Sequence, residues 1–142
     1  DDKKEKIVKE VIKELKIHTV IEEEIFYPTV REALAQEEDD EELLNEAAEE
    51  HRVAKTFIEA LESMSAQDED YDAKFTVLAE NVRHHIKEEE GELFPEAKGA
   101  DLDFKELGEK MQNRKDELME NESTLKEAVE NSDVKPYQEQ NN

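Results

Sequence analysis

The sequence of 142 residues fits one domain, because a chain of this size buries roughly two-thirds of the surface that its unfolded form exposes. Its formal net charge of −23 repels nucleic acids and anionic membrane surfaces, so neither is expected as a partner. The chain contains no cysteine, which excludes disulfides, iron–sulfur clusters and thiolate catalysis. Any metal is therefore expected to be bound through histidine and carboxylate side chains.

The first predicted helix runs from Asp2 to about Ala35. Pro28 lacks a backbone N–H and is expected to kink or loosen its last two turns. The acidic stretch 37–42 indicates a solvated turn before the second helix. Residues spaced three or four apart predict one buried stripe on the first helix: Val8, Val11, Leu15, His18, Glu22, Ile25 and Thr29.

The second predicted helix extends to about Leu61, and its pattern fades in a loop over residues 63–70. The third helix is expected from about Glu69 to Pro95. Both helices place histidine among apolar residues of the same spacing. The second stripe is Leu44, Ala47, His51, Ala54, Ile58 and Leu61, and the third is Tyr71, Phe75, Leu78, Val82, His85 and Glu89.

A fourth helix is expected to start at a cap, Asp101 or Asp103, and to end near Asn131. The polar tail 132–142 lacks periodicity and is expected to be frayed or to act as a linker. Four amphipathic helices joined by short polar loops predict an all-α fold, an antiparallel four-helix bundle formed by residues 1–131.

Two histidines on these stripes carry a glutamate four residues later, His18 with Glu22 and His85 with Glu89. Residues four apart lie on the same face of a helix, so each pair can direct an imidazole nitrogen and a carboxylate toward one point. Burying an unpaired carboxylate costs several kcal/mol, and a bound cation would offset that cost. The pattern therefore predicts a metal site inside the bundle.

The segments around the two pairs repeat, because HTVIEEEIFYP ending at Pro28 matches HIKEEEGELFP ending at Pro95. Such a repeat indicates two half-sites that face each other across the bundle, as a dinuclear centre requires. His51 adds a third nitrogen from the second stripe. A ligand set of nitrogen and oxygen suits iron, manganese or zinc.

The segments HTVIEEEIFYP and HHIKEEEGELFP resemble the paired H-x₃-E-E…[FY]-P signatures of the hemerythrin-like HHE cation-binding family. EEHRVAKTFIEAL resembles the histidine-bearing helix between them, and the resemblance covers about residues 5–130. It implies a four-helix bundle with a non-haem di-iron centre that binds oxygen, senses oxygen or nitric oxide, or handles iron. The ligands that it implies are His18, Glu22, His51, His85 and Glu89.

The sequence departs from that family in two places. Nothing before His18 offers the further ligand histidine of the family's first helix, so the chain is expected to start after that helix. A mononuclear site then becomes an alternative to a di-iron site, while the ligand set leaves manganese and zinc as alternatives to iron. Lys55 stands where a carboxylate partner of His51 would lie. The segment Phe104–Val129 is expected to cover the open side of the bundle, within one chain or by helix exchange in a homodimer.

The leading functional hypothesis is a metal-binding protein whose partner is a small diatomic ligand, oxygen or nitric oxide. An enzyme that uses the same centre on peroxide or nitric oxide is an alternative, because both functions need the same ligands. A metal-free helical interaction module is a third. The sequence shows neither a membrane-spanning run of about 18 apolar residues nor a signal peptide, so a cytoplasmic location is expected.

Overall fold

The computed structural model describes residues 2–34, 38–100 and 102–138, and within them the backbone of Glu38 and Asp39 but not their side chains. These residues form helices and loops, with no β-strand among them. The predicted all-α bundle is confirmed. The helical elements are α1 (Asp2–Ile21), π1 (Glu22–Phe26), α2 (Tyr27–Ala33), α3 (Glu38–Glu62), α4 (Tyr71–Glu88), π2 (Glu89–Leu93), α5 (Phe94–Lys98), α6 (Phe104–Glu120) and α7 (Glu122–Asn131).

Two of the helical rods contain a π-helical turn. α1, π1 and α2 form one rod, and α4, π2 and α5 form another. The wide turns are defined by hydrogen bonds between residues five apart, from the Tyr27 N–H to the Glu22 carbonyl and from the Phe94 N–H to the Glu89 carbonyl. Each turn precedes a proline, whose ring would crowd the carbonyl four residues earlier in a regular α-helix. The predicted disturbance at Pro28 is therefore a widened turn.

α1 lies between two layers of the bundle. On one side Val8 and Ile12 pack against Ile58 of α3 and Leu78 of α4. On the other side Ile17, Val20 and Ile21 pack against α6 and α7. The α3 stripe is buried as predicted, whereas α1 buries Ile12 rather than Val11, because α1 has packing partners on two faces.

The last helix is broken into two. Asn121 adopts an extended conformation, and its side chain accepts hydrogen bonds from the N–H groups of Ser123 and Thr124 at 3.0 and 3.2 Å. It therefore ends α6 and caps α7. Asp103 caps α6. The other candidate cap, Asp101, lies outside the described residues, and so does Ala35, the predicted end of the first helix.

α6 and α7 pack on the first rod, within one chain, as expected for the segment Phe104–Val129. Leu118 is fully buried in the cluster formed by Ile17, Val20 and Ile21. The Arg114 guanidinium donates two hydrogen bonds to the Glu24 carboxylate, at 2.8 and 3.1 Å. This bidentate pair joins α6 to π1 beside the predicted ligand Glu22. Helix exchange between two chains stays a prediction.

The tail is folded back along α3 over residues 132–138, in contrast to the expected frayed end. Lys55 donates a hydrogen bond to the Val134 carbonyl at 2.6 Å, and the Tyr137 N–H donates to the Thr56 hydroxyl at 2.8 Å. Residues 139–142 of the predicted tail lie outside the described residues, and the domain boundary at 131 stays a prediction. None of the described helices has the length and apolar character needed to cross a bilayer.

Candidate metal centre

Four of the five predicted ligands lie together in the middle of the bundle. Glu22 begins π1, His51 lies midway along α3, His85 lies near the end of α4, and Glu89 begins π2. All four side chains are buried, with residue exposures between 2% and 6%. One ligand atom from each lies within 4.8 Å of the other three. The described residues therefore contain a buried His₂Glu₂ cluster.

The spacing of these atoms fits a bound ion. Glu22 Oε1 lies 3.1 Å from His51 Nε2 and 3.5 Å from His85 Nε2, and the two Nε2 atoms are 3.3 Å apart. His85 Nε2 also contacts Glu89 Oε1. Bonds of about 2.1 Å to one ion place neighbouring ligand atoms about 3.0 Å apart at right angles and about 3.4 Å apart in a tetrahedron. Two imidazole nitrogens and two carboxylate oxygens also suit a divalent first-row metal.

His18, the fifth predicted ligand, lies at the rim. Its side chain is 51% exposed, and it does not belong to the group of four converging donors. Its Nε2 atom is 2.9 Å from Glu22 Oε1, the oxygen that also faces His51 and His85. The structure therefore connects His18 to the cluster through Glu22, and its role as a ligand stays a prediction.

Two further glutamates hold the buried histidines, and the sequence reasoning missed both. Glu23 Oε2 lies 2.7 Å from His51 Nδ1, and Glu50 Oε1 lies 3.1 Å from His85 Nδ1. An ionised carboxylate only accepts hydrogen bonds, so both Nδ1 atoms carry the proton and Nε2 of a neutral ring turns its lone pair toward the cluster. Glu23 was visible in the sequence only as the residue after Glu22, which Glu90 matches in the second repeat. Glu50 was visible only as the residue preceding His51.

Lys55 acts on the cluster through Glu23. Its ammonium group lies 2.9 Å from Glu23 Oε1 and donates to Ser132 Oγ at 3.0 Å, while the Ser132 hydroxyl also contacts Glu23. The lysine that replaces a carboxylate partner on α3 thus fixes the carboxylate that holds His51. The start of the tail takes part in the same network.

Tyr27, which directly precedes Pro28 in the segment HTVIEEEIFYP, also lies at the cluster. In a regular α-helix a residue five positions after Glu22 points about 140° away from it. The π turn accommodates one extra residue, so Tyr27 points only about 40° away. Its hydroxyl lies 2.8 Å from Glu89 Oε1, 3.0 Å from His85 Nε2 and 3.3 Å from His51 Nε2. The corresponding residue of the second repeat, Phe94, is partly exposed.

The pKa values in the cluster are shifted because carboxylates and imidazoles are buried in contact with one another. Burial by itself raises the pKa of Glu22, but hydrogen bonds from His18, His51 and His85 outweigh it and hold that pKa well below its usual range. Burial lowers the pKa of His85, whereas contacts with Glu22, Glu89 and Glu50 raise it to about 11. Protons on the imidazoles thus balance the buried carboxylates, and a cation would replace those protons.

Burial and contacts with neighbouring charged groups also shift the pKa values of Glu89, Tyr27 and His51. Burial and the nearby Glu22 carboxylate raise the pKa of Glu89, despite the opposing hydrogen bond from His85. Burial and the two carboxylates also raise the pKa of the Tyr27 phenol. Burial lowers the pKa of His51, but its bonds to Glu22 and Glu23 raise it above its ordinary value.

Two other features border the cluster. His84 is exposed, and its Nε2 atom lies 3.0 Å from Glu88 Oε1 and 3.7 Å from Glu50 Oε2. A surface cavity of about 590 Å³ has a lining that includes Glu23, Tyr27 and residues of α7 and the tail. The cavity is therefore lined in part by Glu23 and Tyr27, which contact the cluster.

The fold and the site together define a helical bundle with a cation site made of histidine and carboxylate. The chain belongs to the hemerythrin HHE cation-binding domain family, whose model matches residues 1–97. The resemblance inferred from the repeated segments is therefore confirmed, although the match ends well before residue 130. No curated protein sequence and no solved structure matched the chain.

Proposed function

We propose that the chain holds a non-haem iron centre and uses it to bind or sense a small diatomic ligand, oxygen or nitric oxide. The observation that supports the proposal is the convergence of four buried donor atoms on one point. Membership of a cation-binding family supports binding of a metal. Iron is the finer part of the proposal, because manganese and zinc also accept two nitrogens and two carboxylate oxygens.

The arrangement of donors suggests a capacity of up to two ions. Glu22, His51, His85 and Glu89 surround one position. The Glu22 carboxylate also faces His18 at the rim, and these two residues offer ligands for a second position. Glu22 would then be the residue shared by a di-iron centre, whereas a chain that fills only the buried position would be mononuclear.

The surroundings of the cluster suit a small ligand. Bound iron would supply the chemistry, since its coordination positions not filled by protein can accept a diatomic molecule. Glu23 and Glu50 keep the imidazoles in the orientation needed for ligation. Phe26 and Leu93 are buried in one apolar cluster with Tyr27, and the cavity beside Tyr27 would offer a route for a small molecule.

Metal analysis tests the proposal. Protein loaded with ferrous ion without oxygen and then desalted should retain up to two irons per chain. Glu22→Ala and Glu89→Ala should lose most of this iron, whereas the exposed neighbour variant Glu90→Ala should retain it. Wild-type protein with less than about a tenth of an equivalent of any transition metal would exclude the site.

Rapid mixing of the reduced, iron-loaded protein with oxygen or nitric oxide tests the use of the centre. A lasting spectral change that reverses when the gas is removed supports binding or sensing. Continuous consumption of nitric oxide or of added peroxide would instead favour the enzyme hypothesis. A protein that takes up no metal would favour the third hypothesis, a metal-free helical interaction module.

A further inference from the structure

The Tyr27 hydroxyl oxygen occupies a position among the four donors. It lies 2.8 Å from Glu89 Oε1, 3.0 Å from His85 Nε2 and 3.3 Å from His51 Nε2. The residue is buried, with 6% of its surface exposed. The distances to the two imidazole nitrogens match the separations of about 3.0–3.4 Å between neighbouring ligands of one ion, and the distance to Glu89 is slightly shorter.

Hydrogen bonding accounts for these three contacts at once only while both imidazole Nε2 atoms are protonated. A phenol carries one proton and donates one hydrogen bond, for which Glu89 is the nearest acceptor. His51 and His85 each hold their ring proton on Nδ1, against Glu23 and Glu50, when the rings are neutral. Their Nε2 lone pairs and those of the Tyr27 oxygen then face one another at close range. A cation placed between them would remove this repulsion.

We propose that Tyr27 is itself a ligand of the bound ion, through its phenolate oxygen. The inference rests on the proposed metal centre and adds a fifth buried donor to it. When the ion binds, the O–H bond of Tyr27 breaks, its proton leaves to solvent, and a bond forms between the oxygen and the metal. No electron is transferred in this step.

A metal ion reverses the electrostatics that otherwise favour the neutral phenol. Without the ion, the negative charges of Glu22 and Glu89 oppose a phenolate. A bound cation is the largest local charge and favours the deprotonated ligand, as it does for water and thiols. Only the first repeat offers this donor, because the second repeat has Phe94 at the corresponding place. The two halves of the site are therefore chemically different.

The visible spectrum of the ferric protein tests the proposal, because phenolate bound to ferric ion gives a charge-transfer band that histidine and carboxylate ligands do not give. Wild-type protein should show this band after loading with iron and oxidation, and resonance Raman spectra excited in the band should contain tyrosine ring modes. Tyr27→Phe should lose the band while retaining most of its iron. Tyr71→Phe, which removes the hydroxyl of a buried tyrosine outside the cluster, should keep it.

A double variant, Tyr71→Phe with Tyr137→Phe, keeps the test decisive if Tyr27→Phe fails to fold, because Tyr27 is then the only tyrosine left in the chain. The band should persist in this protein. Iron-loaded wild type without the band, or Tyr27→Phe with the band unchanged, would overturn the role of Tyr27 and leave the iron centre intact. Failure of wild-type protein to take up any metal would overturn both proposals.

Discussion

Neutralising Glu23 should weaken metal binding without changing any of the proposed ligands. The Glu23 carboxylate accepts a hydrogen bond from His51 Nδ1 at 2.7 Å and is 11% exposed. Glu23→Gln keeps the shape and an acceptor oxygen but removes the charge. A hydrogen bond to a charged group contributes about 1.5–3 kcal/mol and a neutral one about 1 kcal/mol. The difference of about 0.5–2 kcal/mol corresponds to roughly a 2- to 30-fold loss of affinity.

The measurement is a competition for ferrous ion between the metal-free protein and a coloured chelator, in the absence of oxygen. Glu24→Gln is the matched control, because it removes the same charge from the next residue, which faces Arg114 rather than a histidine. We expect the control to change the affinity by less than about twofold, since screening weakens charge effects at exposed positions. Equal affinities for the two variants would refute a supporting role of Glu23 behind His51.

Three other predictions concern stability. Leu118→Ala should lower the free energy of unfolding by about 2–5 kcal/mol in urea titrations. Met119 is exposed, so Met119→Ala should change the free energy of unfolding by less than about 0.5 kcal/mol. Equal effects of the two substitutions would contradict the packing of α6 on Ile17. Deleting residues 101–142 should reduce both solubility and iron content, and a soluble, iron-loaded monomer would show that the deleted segment does not close the bundle. The raised pKa of His85 stabilises the metal-free protein fully below its ordinary value of 6.5, and this contribution is lost as the pH rises toward about 11. The melting temperature of chelator-treated protein should therefore fall between pH 7 and 10, and an unchanged temperature over this range would contradict the buried ion pairs.

Regular helices with one packed face were predictable from the sequence. On α3 the expected stripe is buried, from Leu44 through His51 to Leu61, because a straight α-helix with one apolar face keeps its period. The prediction of a single buried stripe on α1 was wrong. The helix is covered on two sides, so Ile12 and Ile17 are both buried although they face different layers.

The site was predictable as far as its histidine and glutamate pairs, but the groups around it were not. The spacing of His85 and Glu89 places both on one face, and the structure brings them together. The position of Tyr27 depends on the π turn, which the 3.6-residue period of a regular helix does not reveal. The contact of Ser132 with Glu23 joins residues far apart in the chain, and no periodic pattern predicts such a contact.

The two π turns let each rod carry one residue more than a regular α-helix would have, without turning the residues that follow out of the core. Deleting one residue between Glu22 and Tyr27 would restore a regular α-helix and leave Tyr27 four positions after Glu22, about 40° away, which is its present direction. Tyr27 would therefore stay near the cluster, and Val30, which is fully buried, would stay in the core. Inserting a residue in regular helical form would instead turn everything that follows by about 100°.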